Sequence, residues 1–448
     1  MIQSPDDPIA ALATPAASSA LAVIRVSGTG VLGLLAGIVR GAAVADMQGH
    51  TIHLCTFHDG PEDVDEVLLA VYRAPRSYTG EESAEIFCHG SLPVITRLLS
   101  LLTRAGFRPA GPGEFTQRAF LNGRMDLTRA EAVNEIVRAR TDRARGLALQ
   151  RLSGAVEARV RSARDALIDL RASLEAAIDY PEDGIADDSI DEPLRLALSV
   201  LEGLAGTYRQ GRLYQEGMSV AITGGTNAGK SSLFNALLRQ DRAIVSEIHG
   251  TTRDWLEGTA SIEGIPVRLI DTAGLRASAD LLEEEAMRRT RQVMDSADAV
   301  VYVVDGSKGL GAYDRTVIDG WHGPAPLLRA WNKTDLPAAL PAPAGFVPVS
   351  AATGSGVERI EHAVAEAALG GAPRDAAEPL IDSERQRDLL LRALSALRRF
   401  GEARQAGVTP DLLAVDVADA LDALGEITGA VTSAEILERM FSRFCVGK

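Results

Sequence analysis

Residues Gly224-Gly225-Thr226-Asn227-Ala228-Gly229-Lys230-Ser231 fit G-x-x-x-x-G-K-[ST], the phosphate-binding P-loop. Such a loop works only between a strand and a helix, and the flanks supply both. Met218, Val220, Ala221 and Ile222 form an apolar strand-like run, and Leu233, Phe234, Ala236, Leu237 and Leu238 follow at helical spacing. Glycines let backbone N–H groups turn inward around phosphates, the helix N-terminus adds partial positive charge, and Lys230 adds a full one at the β/γ oxygens. The Ser231 hydroxyl is a Mg²⁺ ligand candidate, and Ala228 and Ser232 complete the expected phosphate contacts. The chain must therefore contain an α/β nucleotide domain.

Four further pieces follow in the order a guanine-nucleotide switch requires. Gly250-Thr251-Thr252-Arg253-Asp254 places a Thr hydroxyl, assigned to Thr252, where it completes the Mg²⁺ shell. Asp271-Thr272-Ala273-Gly274 ends a strand-like run at 267–270; its Asp stands where a Walker-B carboxylate holds Mg²⁺ through water, and its Gly N–H meets the γ-phosphate. The apolar run 299–304 is the expected core of the sheet. Asn332-Lys333-Thr334-Asp335 provides a carboxylate for the guanine N1–H and N2–H₂, donors that adenine lacks, and Ser350-Ala351-Ala352 is expected to close over the base edge. These motifs describe a GTP-binding domain. Leu275 stands where many small GTPases place the Gln that orients attacking water, so the chain either positions water through another group or is slow until something completes its site.

The 448 residues exceed one core at about 150 residues per domain, and 46% hydrophobic with 24% charged residues is a globular composition. No apolar run reaches the roughly 18 residues of a membrane span, and the acidic start lacks a signal peptide's basic region, so the expected compartment is the cytoplasm, with no membrane partner. The three cysteines, Cys55, Cys88 and Cys445, write neither a disulfide framework nor a C-x-x-C zinc site. A net charge of −15 excludes a chain-wide RNA surface and leaves local contact, best placed at 138–164, where Arg138, Arg140, Arg143, Arg145, Arg151, Arg159, Arg161 and Arg164 face only Asp142 and Glu157. A solvated helix face accounts for such a run equally well.

Residues 1–117 read as mixed α/β, with strand-like runs at 20–27, 51–57, 64–72 and 84–88 and a helix at 92–102. From Thr128-Arg129-Ala130-Glu131, a capping-box pattern, the chain turns helical, and apolar residues at 152, 156, 160, 163, 167, 170, 174 and 178 make one long stripe. A further helical segment at 190–210 leads to the P-loop strand. After the nucleotide motifs helices return, with Pro410 and Thr432-x-x-Glu435 as starts. The expected layout is 1–117 α/β, 118–214 helical, 215–373 an inserted G domain with a mostly parallel sheet, and 374–448 the second helical part.

Pro112-Gly113-Glu114-Phe115-Thr116, Arg118-Ala119-Phe120-Leu121-Asn122, Glu175-Ala176-Ala177-Ile178-Asp179-Tyr180-Pro181, the P-loop with Asn-Ala-Gly-Lys-Ser-Ser, Gly250-Thr251-Thr252-Arg253-Asp254 and the terminal Phe444-Cys445-Val446-Gly447-Lys448 carry a resemblance. Over essentially its full length the chain resembles the MnmE (TrmE) family of tRNA-modification GTPases. The resemblance implies an N-terminal folate-binding domain that forms a homodimer, a helical domain with an inserted G domain, and an FAD-dependent partner, MnmG (GidA). Together they are expected to add a carboxymethylaminomethyl-type group to C5 of the wobble uridine of certain tRNAs. It further implies K⁺ held by Asn227, Ser246, Ile248 and Thr251, nucleotide contacts along Ser246-Glu247-Ile248-His249-Gly250-Thr251-Thr252, and Glu283 as the water-orienting group beside catalytic Lys230. Arg25, Glu81, Arg124 and Lys448 are implied contacts for a tetrahydrofolate derivative, and Cys445 is a possible functional thiol. Pro15-Ala16-Ala17-Ser18-Ser19-Ala20, Arg124 and Gly225-Thr226 depart from the family's usual residues. The alternative is a ribosome-assembly GTPase acting as a non-catalytic switch, which would need neither the N-terminal domain nor the Cys-x-Gly-Lys end.

Overall fold

The computed structural model describes residues 7–180, 188–238, 256–272, 283–371 and 379–448, with the backbone alone at 256, 283–287 and 289. The chain divides into two compact units, Met1–Asn134 with Leu421–Lys448, and Glu135–Ala420. Residues Leu421–Lys448, expected in the second helical part, cluster with the N-terminal residues. Leu437, Phe441 and Phe444 bury against Leu127 and Ala130, and Val446 bridges to Pro112.

The described residues of the first unit hold seven strands: β1 (Ile9–Leu12), β2 (Leu21–Ser27), β3 (Val39–Arg40), β4 (Thr51–Asp59), β5 (Glu62–Tyr72), β6 (Ser83–His89) and β7 (Arg108–Pro109), in the order β3-β4-β5-β6-β2-β1-β7. Only β1 and β7 pair in parallel. Side chains alternate across the pleat. One face buries Ile24, Val26, Val67, Leu69 and Ile86 with Ile95, Leu98 and Leu102 of helix Leu92–Arg104. The opposite face leaves Leu21, Ile52, Leu54 and Leu68 exposed.

Two helix starts differ from the sequence reading. Helix Leu127–Arg138 begins before Thr128, because Asp126 Oδ1 accepts both the Arg129 N–H and the Thr128 hydroxyl, each at 2.8 Å. Helix Ala434–Phe441 is capped by Ser433, whose Oγ accepts the Ile436 N–H at 3.3 Å, not by Thr432. In both cases a neighbouring side chain with the same capping chemistry wins.

In the second unit the expected single stripe is split. Leu152 ends helix Asp142–Leu152, Gly154 turns the chain at φ 92, and helix Ala155–Asp179 buries Val156, Val160, Ala163, Leu167, Leu170 and Leu174. Ile178, assigned to the same stripe, is exposed. Helices Asp188–Gly206, Tyr208–Glu216 and Glu384–Gln405 belong to this part, as does the start of helix Pro410–Thr428. The G sheet contains β8 (Met218–Gly224), β9 (Leu256–Ile262), β10 (Ile265–Asp271), β11 (Ala299–Asp305), β12 (Leu327–Asn332) and β13 (Phe346–Pro348), in the order β13-β12-β11-β8-β10-β9. All pairs are parallel except β9 with β10. Every residue of β11 is buried, as a central parallel strand covered on both faces must be. The P-loop, Asp271, Asp305 and Asn332 all sit at the C-terminal ends of parallel strands, where open α/β sheets bind ligands.

Candidate functional site

The P-loop backbone is shaped by contacts that exclude larger residues. Gly224 has φ 144, and a Cβ there would stand 2.1 Å from the Val303 carbonyl oxygen; Gly229 has φ 93, and its Cβ would stand 2.2 Å from Asn332 Nδ2. Asn227 adopts φ 58, a left-handed conformation that Asn tolerates better than most residues. Lys230 opens helix Lys230–Leu238, is buried, and donates from Nζ to the carbonyls of Gly225 (2.7 Å) and Gly224 (3.2 Å), so the ammonium is held at the loop. Ser231 Oγ donates to Asp271 Oδ2 at 2.7 Å, which brings the two expected Mg²⁺-associated groups together. Thr272 instead donates its hydroxyl to the Ile222 carbonyl (3.0 Å), tying the end of β10 to β8.

The base-recognition pieces converge in the same way. Asn332 Nδ2 donates to the Ala228 carbonyl at 2.8 Å, and Asn332 Oδ1 accepts the Ala351 N–H at 3.0 Å, so one amide joins the P-loop to the 350–352 turn. Lys333, at φ 65, pairs with Asp305 at 2.7 Å. Burial works to raise the Asp305 pKa, but hydrogen bonds from Lys333 and Ser307 outweigh it and hold the carboxyl below the usual range. Asp335 Oδ1 accepts the Ser350 hydroxyl at 2.7 Å, and Ala352 follows exposed in the turn. Ser246, Glu247, Ile248, His249, Gly250, Thr251, Thr252, Ala273 and Gly274 lie outside the described residues, as does the side chain of Glu283, which begins helix Glu283–Ser296.

Arg25, Glu81, Arg124 and Lys448, the other set of expected contacts, all lie in the first unit. Arg25 on β2 donates from Nε and Nη2 to Glu85 Oε1 (3.0 and 2.8 Å) and from Nη1 to the Gly447 carbonyl (3.2 Å). Its guanidinium lies 5.5 Å from the Tyr78 ring centre and 5.7 Å from that of Phe115, within cation–π range. These side chains, with Tyr72 and Thr79, line a cavity of about 190 Å³. Glu81 accepts from Ser27 Oγ (2.8 Å) and Arg118 Nη1 (3.3 Å). The half-buried Lys448 has its pKa pushed down by burial and then by Arg25, while its carbonyl accepts the Phe115 N–H at 3.2 Å. Arg124 is exposed, with its stem beside Gly80. Cys55 and Cys88 are buried free thiols, each pushed up by burial to about 11, whereas Cys445 is exposed.

The sequence pattern does not single out the ion network around Glu114, the residue before Phe115. Glu114, almost fully buried, accepts from Arg108 Nη2 (2.7 Å), Arg118 Nη2 (3.0 Å) and the Gly111 N–H (2.8 Å). The motif Pro112-Gly113-Glu114-Phe115-Thr116 signalled family resemblance, yet charge pattern alone does not say which carboxylate is buried. Of the arginines at 138–164, Arg151 is buried between Glu135 (2.6 Å) and Asp382 (3.2 Å), and Arg143 stacks on Tyr214. Arg151 therefore serves the fold, a correction to its candidacy for RNA contact.

The mostly parallel sheet, the P-loop with Ser231 against Asp271, and the Asn332–Asp335 loop define a P-loop guanine-nucleotide protein. Residues 127–445 match the family model of the MnmE helical domain, and residues 8–124 match that of the GTP-binding protein TrmE N-terminus. The chain belongs to the MnmE family of tRNA modification GTPases. It is 42% identical to the tRNA modification GTPase MnmE of Moorella thermoacetica over 99% of this chain and 100% of that one. To a protein of the same name from Thermus thermophilus it is 41% identical over 99% of each. Among solved structures, a variant of Aquifex aeolicus Era bound to GDP·AlF4⁻ is 24% identical over 40% of this chain and 66% of that chain, at a TM-score of 0.27. No helix among the described residues is long and apolar enough to cross a membrane.

Proposed function

We propose that this protein is a K⁺-activated cytoplasmic GTPase that, as a homodimer with an FAD-dependent MnmG (GidA) partner, adds a carboxymethylaminomethyl-type group to C5 of the wobble uridine of certain tRNAs. The observation that carries the reading is the joined nucleotide site: Ser231 on Asp271, Asn332 on the P-loop, and Asp335 set by Ser350. Lys230, which donates to the loop carbonyls of Gly224 and Gly225, turns to the β/γ oxygens when nucleotide binds, and the N–H groups of the loop and helix start hydrogen-bond the phosphates beside it. The Ser231 hydroxyl and Asp271 carboxylate are hard oxygen donors that suit Mg²⁺, with Thr252 as the further ligand. Asn227, in its left-handed conformation, is the described member of the K⁺ set with Ser246, Ile248 and Thr251. When bound, Mg²⁺ and K⁺ supply positive charge to the transferring phosphoryl group, and the folate derivative supplies the one-carbon unit. Glu283 orients the water in place of the Gln that Leu275 replaces.

Arg25 and its flanking aromatic rings, with Glu81, Arg124 and Lys448, form the proposed holder of the tetrahydrofolate derivative. A flat guanidinium between rings and a nearby carboxylate suit a pterin ring with a carboxylate tail. The face of the sheet that bears Arg25 also exposes Leu21, Ile52, Leu54 and Leu68, an apolar surface fitting a second copy of the chain. Cys445 is exposed at the same C-terminal segment and is the thiol available for chemistry. The test is twofold. GTP turnover must be faster in K⁺ than in Na⁺ at equal ionic strength, and equal rates remove the Asn227 assignment. Cells lacking the protein must lose the C5 group from wobble uridines by nucleoside mass spectrometry; unchanged tRNA sinks the reading.

A further inference from the structure

The second unit contains a basic cleft at the other end of β8 from the P-loop. It encloses about 740 Å³ between helix Tyr208–Glu216 and the starts of β8 and β10, and Arg140, Arg209, Arg212 and Arg268 line it with Glu216 and Asp298. The 7 residues of β8 put roughly 20 Å between it and the P-loop. Both carboxylates are engaged. Asp298 accepts the Ser219 N–H and hydroxyl, each at 2.7 Å, and Glu216 accepts Arg212 Nε at 2.6 Å. Arg268 reaches only to 4.0 Å from Glu257. Arg140 and Arg209 are exposed and have no carboxylate partner among the described residues. The mouth of the cleft thus keeps uncompensated positive charge in a chain whose net charge is −15.

Arg140 is also held in place. Its neighbour Thr141 caps helix Asp142–Leu152 through the Ala144 N–H (3.1 Å) and donates its hydroxyl to the Gly264 carbonyl in the β9–β10 turn (2.8 Å). A surface arginine fixed by its backbone loses less freedom on binding than one on a free loop. Like charges converging on an open cleft repel one another, and an anion relieves that repulsion. Arginine forks match phosphate oxygens, and a negative protein that handles RNA needs a local patch of this kind to hold the backbone.

We propose that this cleft grips the phosphodiester backbone of the RNA substrate, with Arg140 and Arg209 as the principal contacts. The proposal rests on the reading that the protein acts on tRNA. The experiment measures tRNA affinity of the full chain against salt for wild type, for Arg140→Gln with Arg209→Gln, and for Arg140→Lys with Arg209→Lys. Each phosphate contact contributes roughly 0.7–0.9 to the slope of log K against log salt, so the Gln pair should flatten it by about 1.5, while the Lys pair keeps it. Intrinsic GTP hydrolysis without tRNA and the thermal melt should match wild type in both variants, which separates lost contact from lost fold. If wild type binds tRNA and the Gln pair binds it with the same affinity and slope, the cleft is not the RNA site although the tRNA reading stands. The cleft is equally ruled out as the RNA site if the Gln pair loses only an acidic protein partner. If wild type shows no tRNA binding, both fall.

Discussion

Asp335 Oδ1 accepts the Ser350 hydroxyl at 2.7 Å, so the carboxylate expected to read guanine is oriented by the turn expected to close over it. The bond fixes one oxygen and leaves lone pairs for the base. An Asn at 335 would keep the size and the acceptor for N1–H but replace an acceptor by an N–H₂, which suits the C2 carbonyl of xanthine instead of the N2–H₂ of guanine. Asp335→Asn should swing preference from GTP to xanthosine triphosphate by on the order of 10⁴-fold in relative affinity. Competition titration with the two nucleotides checks this, and an unchanged preference for GTP would mean that Asp335 does not contact the base.

The Glu114 network predicts an acid-sensitive N-terminal unit. Burial acts to raise the Glu114 pKa, but bonds from Arg108, the Gly111 N–H and Arg118 bring it below its ordinary 4.5. A depressed carboxyl pKa stabilises the fold fully above the unfolded value and loses that contribution as pH falls below 4.5 through the folded pKa. Glu114→Gln leaves buried Arg118 with less compensation and should cost about 3 kcal/mol near neutrality, with a shallower loss of stability on acidification. Thermal melts across pH 3 to 7, on the order of half a unit apart, read both effects. Parallel curves for the two proteins would assign the network no ionic role.

The exposed leucines of the N-terminal sheet predict a self-association surface. Leu54 and Leu68 face each other across β4 and β5 and are 60% and 47% exposed, so neither holds the core. Leu54→Glu should leave the melt of the isolated chain nearly unchanged while raising the dimer dissociation constant on the order of 100-fold, because a carboxylate would be desolvated on docking. Sedimentation velocity across a dilution series is the readout. A variant that stays as dimeric as wild type would place the contact elsewhere.

The nucleotide domain was legible because its chemistry is written in short, ordered motifs and its central strand β11 is apolar up to the closing Asp305. The β11 run was expected at 299–304 and is observed at Ala299–Asp305. Strand β1, Ile9–Leu12, was not foreseen, since two of its four residues are alanines with weak strand preference. Helix starts slipped where Asp126 stands near Thr128 and Ser433 beside Thr432, since local chemistry does not rank adjacent caps. Arg151 looked like its exposed neighbours, and only the packing of Leu380 and Asp382 against it shows that it is buried. The arrangement of Arg25 between Tyr78 and Phe115 joins residues far apart in the chain, which pattern alone cannot pair.

The claim that the nucleotide site drives tRNA modification is tested most directly by complementation. In cells lacking the gene, wild type or Lys230→Ala is expressed at matched levels, and wobble-uridine nucleosides are quantified by mass spectrometry. Removing the ammonium now held on Gly224 and Gly225 removes the charge destined for the β/γ oxygens. The expected result is that wild type restores the C5-modified nucleoside and Lys230→Ala does not, although it is folded. Full restoration by Lys230→Ala would contradict the account.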